Sequence, residues 1–192
     1  MKRIENWTVE DLNEEQLKIY NEILNGPRGS VVGPIKVWLN NPKFAEIAQK
    51  VGKYARFESS LPPSLSELVI IITGRCWSSQ FEWEQHVPLA IKNGIKKEYV
   101  EKIANAERPI FENNKQQAVY DFVAEVNINK KVSDSTFNTA YNLLGKNSII
   151  DIVAICGYYH LISMTLNVFE IPAENTTTWC LPEIQNFGKM LP

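Results

Sequence analysis

The sequence contains few histidines and cysteines, and this scarcity limits the chemistry that it can support. Its 192 residues include two histidines, so a histidine-rich metal site is not expected. The three cysteines, Cys76, Cys156 and Cys180, form neither a C-x-x-C pair nor a zinc-binding spacing. Thiols placed so far apart indicate reduced cysteines rather than a disulfide framework. We therefore expect no metal and no cofactor.

A concentrated basic surface and a long apolar segment are also missing. The net charge is -2, and the densest lysine cluster, Lys96 and Lys97, lies among acidic residues, which is typical of a solvated helix surface. The N-terminal residues contain no apolar signal-peptide core. The most apolar stretch, residues 149–166, contains Asp151 and falls short of the roughly 20 apolar residues of a membrane span. These features predict a cytoplasmic protein that binds neither nucleic acid nor membrane.

Helical periodicity recurs along the whole chain. With 44% apolar residues, the sequence can fill one hydrophobic core. Apolar spacing, capping residues and Gly or Pro stops predict helices at about residues 13–25, 42–57, 64–92, 97–106, 113–126, 133–145 and 148–168. The last helix is apolar nearly all round and should lie at the centre. We predict an all-α, single-domain helical bundle over residues 1–192, with N-terminal helices (1–60), a core (61–172) and a C-terminal tail (173–192).

Two segments lie outside these helices, a loop at residues 26–33 and the C-terminal tail. Residues 26–33 form a loop rich in Gly, Pro and Ser, for which we favour a plain connector over a lid or a partner contact. The tail has no clear period, but Trp179 and Phe187 predict that it docks on a surface, including that of a neighbouring subunit.

The segment that follows Pro63 contains the residues best suited to chemistry. Ser64 and Glu67 have the spacing of a capping box, which predicts that a helix begins at Ser64. The β-branched run at residues 70–72 is also compatible with a short buried strand, but helical spacing continues to Ile91. Glu67 can approach residues 82–86 only if the chain breaks near Gly74 and folds back.

Glu82 and His86 are four residues apart, so on a helix they share a face. A carboxylate beside an imidazole fixes the ring, which suits a general acid–base group near neutral pH. The alternative is a surface pair without function, because such pairs are common on helices. Trp77 and Trp83 are more typical of a core than of a pocket.

This segment resembles the fingerprint of the carboxymuconolactone decarboxylase and alkylhydroperoxidase D family. The peroxidase branch has a glutamate followed by C-x-x-C-x-x-x-H, and the matching positions here are Glu67, Ser79, Glu82 and His86. The similarity covers most of the chain, since three further groups of residues occur in the order of the family: 33–39 with Pro42, 81–90 with Gly94, and 153–159 with 166–167 and Pro172. The resemblance implies an alkylhydroperoxidase D-like helical fold that assembles into homo-oligomers.

Thiol peroxidase chemistry needs an attacking and a resolving cysteine, but Ser79 and Glu82 occupy those positions. The resemblance therefore favours the decarboxylase branch, a cofactor-independent lyase that removes carbon dioxide from a small organic acid or lactone. It implies His86 as proton donor or electrostatic stabiliser, Glu82 as the residue that orients it, and Glu67 as partner or proton relay. Candidate substrate-binding residues are Ser79, Trp77 and Trp83. Two carboxylates so close together would repel an anionic substrate unless one of them is protonated or a cation such as Arg75 lies nearby.

Two alternatives remain open. Cys76, three residues before Ser79, could support an alkylhydroperoxidase-like antioxidant activity if an external thiol reduced its oxidised form. A non-catalytic oligomeric helical binding module is the second alternative. Replacement of Cys76 by Ser separates the thiol enzyme from the acid–base enzyme, because only the first would lose its activity.

Overall fold

Helices account for the regular secondary structure of the chain. The computed structural model describes residues 3–4, 7–173 and 178–192, and over these residues it contains nine α-helices and no β-strand, which confirms the all-α prediction. A π-helical turn (Tyr54–Glu58) extends the third helix. The helices are α1 (Glu14–Leu24), α2 (Pro34–Trp38), α3 (Pro42–Lys53), α4 (Pro63–Cys76), α5 (Gln80–Lys92), α6 (Lys97–Ala104), α7 (Asn114–Asn129), α8 (Asp134–Leu144) and α9 (Lys146–Val168).

Four of the nine described α-helices begin with a side-chain cap, and α4 begins at a different residue from the one predicted. Side-chain oxygens that accept a backbone N–H begin four helices, at Asn13, Asn41, Asn113 and Ser133. In contrast, α4 begins at Pro63, so the capping box predicted at Ser64 is wrong. Proline is favoured in the first helical turn, where its missing N–H costs nothing. Because Glu67 does not cap α4, its carboxylate can contact His86 on the following helix.

Helix α4 lies at the centre of the core and packs against α5, α7 and α9. Ile70, Ile71 and Ile72 are all at most 1% exposed. Consecutive residues of a helix point about 100° apart, so burial of all three requires neighbours on several sides. The β-branched run thus reflects a surrounded helix, and the strand alternative is wrong. The buried apolar residues form one cluster. That the chain is a single domain stays a prediction.

Residues 77–79 reverse the chain between α4 and α5. Ser78 has a φ of 48°, in the left-handed region, and the Ser79 amide donates a hydrogen bond to the Gly74 carbonyl at 2.9 Å. The break predicted near Gly74 therefore falls just after Cys76. As a result, α5 runs back along α4 and places His86 beside Glu67.

Helix α9 is long and apolar enough to cross a membrane by length and composition. A buried core helix passes the same test, and 61% of its most apolar window is buried against the protein. Its exposed side carries further apolar residues, among them Ile150, Val153, Met164 and Val168. Its apolar character is thus explained largely by packing on α4, and α9 gives no reason to place the protein in a membrane.

The C-terminal tail docks on its own chain. Residues 174–177 of the predicted tail lie outside the described residues, but Trp179 and Phe187 pack against the core. Arg75 is fully buried, donates to the Pro182 carbonyl at 2.9 Å, and stacks 5.1 Å from the Phe187 ring centre. Arg75 therefore anchors the tail and does not supply the nearby cation considered for a substrate.

Replacement of Asp151 by Asn should lower the free energy of unfolding by about 1–3 kcal/mol at pH 7. The buried carboxylate accepts hydrogen bonds from Tyr54 Oη (2.6 Å) and the Ser60 amide (2.7 Å). Burial, the largest influence, raises the pKa of Asp151, but these bonds together outweigh it and the pKa is lowered. The stabilisation is thus present above the unfolded pKa and is lost as pH falls through the folded pKa.

Urea titrations from pH 7 down to pH 3 would measure this loss. The matched control is Glu46→Gln, which breaks an exposed pair with Lys50 and should leave stability almost unchanged, because water and salt screen exposed ion pairs. A difference between wild type and Asp151→Asn that stays constant down to pH 3 would contradict the assignment.

Candidate active site

The α4–α5 pair brings two carboxylates to opposite nitrogens of one histidine. Nδ1 of His86 lies 2.7 Å from Glu67 Oε2, and Nε2 lies 3.4 Å from Glu82 Oε2. His86 and Glu82 are about 5% exposed, and Glu67 is partly buried. Because Nδ1 faces a carboxylate at short range, it carries a hydrogen and donates it to Glu67. Nε2 is thereby left as the nitrogen available for proton transfer.

Tyr159 of α9 completes this group of polar side chains. Its hydroxyl lies 3.3 Å from His86 Nε2, and the two rings meet edge to face with centres 5.1 Å apart. The sequence analysis did not select Tyr159 as a site residue, although it belongs to the last-helix motif that carries the family resemblance. That motif was the available signal, since the residue lies 73 positions from His86 and no local pattern connects them.

Burial controls the protonation of the site. It raises the pKa of the Glu82 carboxyl, and the charges of His86, Arg56 and Arg28 only partly oppose it. Burial also raises the pKa of Tyr159 well above its ordinary value, so its hydroxyl remains a hydrogen-bond donor. The site thus combines a carboxyl whose charged form is disfavoured by burial, a phenol and an imidazole nitrogen, away from bulk water.

A small pocket opens onto one side of this group. Its volume is about 80 Å³, and Glu82, His86 and Tyr159 line it, whereas Glu67 does not. Glu67 is therefore the residue placed to orient His86, and Glu82 is the carboxyl placed to meet a ligand. The roles that the resemblance implies for Glu82 and Glu67 stay a prediction.

Two arginines bring positive charge to the same pocket. Arg28 belongs to the loop between α1 and α2, and Arg56 belongs to the π-helical turn after α3. The loop that we favoured as a plain connector thus forms part of the pocket wall, together with Val32. Sequence reasoning missed both arginines because neither lies in a motif or near residues 67–86.

The three candidate substrate-binding residues lie elsewhere. Ser79 and Trp77 line a second cavity of about 320 Å³, and the Trp77 indole N–H donates to His160 Nδ1 at 3.0 Å. Trp83 is a core residue, 1% exposed, whose edge borders a cavity next to Trp179 of the tail. The structure therefore does not bring these three residues to the pocket that contains His86.

Cys76 is the last residue of α4. It is not among the residues that line the pocket. Burial raises the pKa of its thiol to about 12, which suppresses the thiolate needed for attack on a peroxide. Within the described ranges, no cluster of three or more His, Cys, Asp or Glu residues is arranged to hold a metal ion.

Comparison with known proteins identifies the fold. No protein-family model matches the sequence, and no curated protein matches it. Among solved structures, an uncharacterised peroxidase-related protein from Ralstonia eutropha, described as an alkylhydroperoxidase AhpD core, is similar with a TM-score of 0.71 at 14% identity, over 90% of this chain and 92% of its own. A protein of unknown function from Agrobacterium tumefaciens, provisionally described as the antioxidant defence protein AhpD, has a TM-score of 0.64 at 14% identity, over 75% and 99%. The chain therefore has the AhpD-like helical fold, as the resemblance predicted.

Proposed function

We propose that this protein is a cofactor-independent, carboxymuconolactone decarboxylase-type lyase that acts on a small organic acid or lactone in the cytoplasm. The observation that carries the proposal is the Glu67–His86 hydrogen bond, which orients the imidazole so that Nε2 meets Glu82 and Tyr159 at the pocket. A carboxylate that fixes the tautomer of a catalytic histidine is a recurring device of acid–base enzymes.

The reaction needs one bond to break and one proton to arrive. The carbon–carbon bond to the substrate carboxylate breaks, carbon dioxide leaves, and the electron pair moves into an adjacent carbonyl or unsaturated system. The Tyr159 hydroxyl can donate a hydrogen bond to the resulting enolate-like oxygen. The carboxyl of Glu82, 3.4 Å away, first passes its proton to Nε2, and the imidazolium that forms delivers this proton to carbon while Nδ1–H stays on Glu67. Glu82 is then reprotonated from solvent, so each turnover takes up one proton.

A substrate panel would test this function. The purified protein would be incubated with β-keto acids and unsaturated lactone acids, and NMR would measure carbon dioxide loss and solvent deuterium at the carbon that lost it. We expect turnover of at least one acid, a loss of about 10²-fold or more in Glu67→Gln, and rates within about twofold of wild type in Cys76→Ser. Turnover that survives Glu67→Gln unchanged would contradict the proposal.

The thiol alternative receives support from the peroxidase-related description of one structural neighbour. Adding a peroxide and a thiol reductant to the substrate panel tests this alternative. If it holds, wild type consumes the peroxide and Cys76→Ser does not. The Cys76 thiol is partly exposed, but its raised pKa keeps it protonated and favours the acid–base enzyme instead.

We also propose that the protein functions as a homo-oligomer. Apolar side chains on the outer faces of α3, the π-helical turn and α9 support this assembly, because they are more than two-fifths exposed: Ile47, Val51, Phe57 and Ile150. Sedimentation velocity would decide it, and a monomer at micromolar concentration would contradict it.

A further inference from the structure

Two arginines, Arg28 and Arg56, belong to the lining of the pocket. Both line the pocket together with Glu82 and His86. Within the part of the chain that the structure describes, neither side chain forms a salt bridge. The Arg56 guanidinium instead stacks 5.1 Å from the centre of the Phe57 ring. The mechanism proposed above assigns no task to either arginine.

The Arg28 guanidinium is also held in place by its surroundings. One of its terminal nitrogens is buried beside the hydroxyl of Tyr158, and the guanidinium acts to lower the pKa of that hydroxyl against the effect of burial. The same nitrogen lies against the bare backbone of Gly52 in α3, only 2.7 Å from the position that a Cβ atom would take there. Because residue 52 has no side chain, Arg28 can occupy this space. Its charged guanidinium is therefore held beside the pocket before any ligand binds.

The neighbouring carboxyl does not cancel this charge. Burial keeps the pKa of Glu82 raised even though the charges of Arg56 and Arg28 reach it and lower it. Glu67, the second carboxylate of the group, is engaged by His86 Nδ1 and does not line the pocket. The pocket therefore presents two guanidinium groups beside a carboxyl whose charge is disfavoured by burial, and this combination favours an anion.

We propose that Arg28 and Arg56 form the binding site for the carboxylate of a small organic anion, whose remaining atoms face His86, Glu82 and Tyr159. A guanidinium offers paired N–H donors that match the two oxygens of a carboxylate. The volume of about 80 Å³ is well below the roughly 300 Å³ at which ligand pockets for larger molecules begin, so the anion is compact. This inference rests on the proposed function where it names the anion as the substrate.

Binding of malonate to the full-length protein would test the site, with titration calorimetry as the readout. We expect Arg28→Ala and Arg56→Ala each to raise the Kd for malonate about tenfold or more, since each removes a charge-assisted contact. Malonamide, the neutral analogue, should bind at least tenfold more weakly than malonate. The matched control is Lys50→Ala, which removes an exposed charge from α3 and should leave the Kd within about twofold.

Three further measurements show whether the arginines bind the carboxylate. If an alanine variant fails to fold by circular dichroism, Arg28→Lys and Arg56→Lys retain the charge without the paired donors and should still weaken binding severalfold. Inorganic phosphate should bind more weakly than malonate, and the reverse order would overturn the assignment to carboxylates. Malonate binding that is unchanged in the arginine variants would overturn the site itself. The third measurement compares malonate binding with the substrate panel in the wild-type protein, and a protein that binds malonate but turns over no acid would contradict the proposed function and not the arginine site.

Discussion

His86→Asn should lower kcat/KM by about 10²–10⁴-fold on any acid that the wild-type protein turns over, with little change in helical content. Asparagine can keep a donor toward Glu67, but it lacks a basic nitrogen, so proton delivery to carbon is lost. Stopped-time NMR assays of deuterium incorporation would measure the rate, and circular dichroism would show that the helices persist. The size of the loss follows from removing the group that transfers the proton rather than one that orients it.

The second histidine of the chain provides the matched control. His160 is partly buried and accepts a hydrogen bond from Trp77, but it does not line the pocket of His86. His160→Asn should therefore leave kcat/KM within about threefold of wild type. Equal losses in the two variants would indicate a general effect on the fold and would remove the argument for His86 as the acid–base group.

Gly52→Ala should lower the free energy of unfolding by at least about 1–3 kcal/mol, although alanine is the better helix former. In an exposed helix the exchange would stabilise by up to about 1 kcal/mol. At Gly52 the new Cβ atom would lie 2.1 Å from Tyr158 Oη and 2.7 Å from an Arg28 nitrogen. Tyr158 is buried on α9 and has little room to withdraw, so the steric cost exceeds the gain in helix propensity.

Thermal and urea unfolding would measure the change, and Gly157→Ala is the control within the same fold. Gly157 lies on α9, and a Cβ atom there would meet nothing within 4 Å. This variant should be neutral or slightly stabilising. A Gly52→Ala variant as stable as Gly157→Ala would contradict the close approach of Tyr158 and Arg28 to α3.

The fold class and the central pair of site residues could be predicted because both depend on local rules. Side chains such as Asn13 and Ser133 cap helices in their own neighbourhood, and the four-residue spacing of Glu82 and His86 places them on one face of α5. The reversal at Ser78 was harder to predict, since a non-glycine residue with positive φ carries no clear sequence signal.

The remaining site residues could not be predicted, because they meet only through packing. Tyr159 reaches His86 from the far end of the chain, and Arg28 and Arg56 come from a loop and a π-helical turn with no motif. The start of α4 was predicted at Ser64 from a plausible capping box, but the helix begins one residue earlier, at Pro63. Local patterns place each helix, whereas the partners of a side chain on another helix depend on how the helices pack.

The spacing of the site residues along the chain also sets the order in which the site assembles during folding. Glu67 and His86 are 19 residues apart on helices joined by a short turn, whereas Tyr159 lies 73 residues from His86. Contacts between nearby residues lose less chain entropy on closure and tend to form sooner. We therefore expect the histidine to pair with its carboxylates while the α4–α5 hairpin is still open to water, and α9 to close over it in a later step.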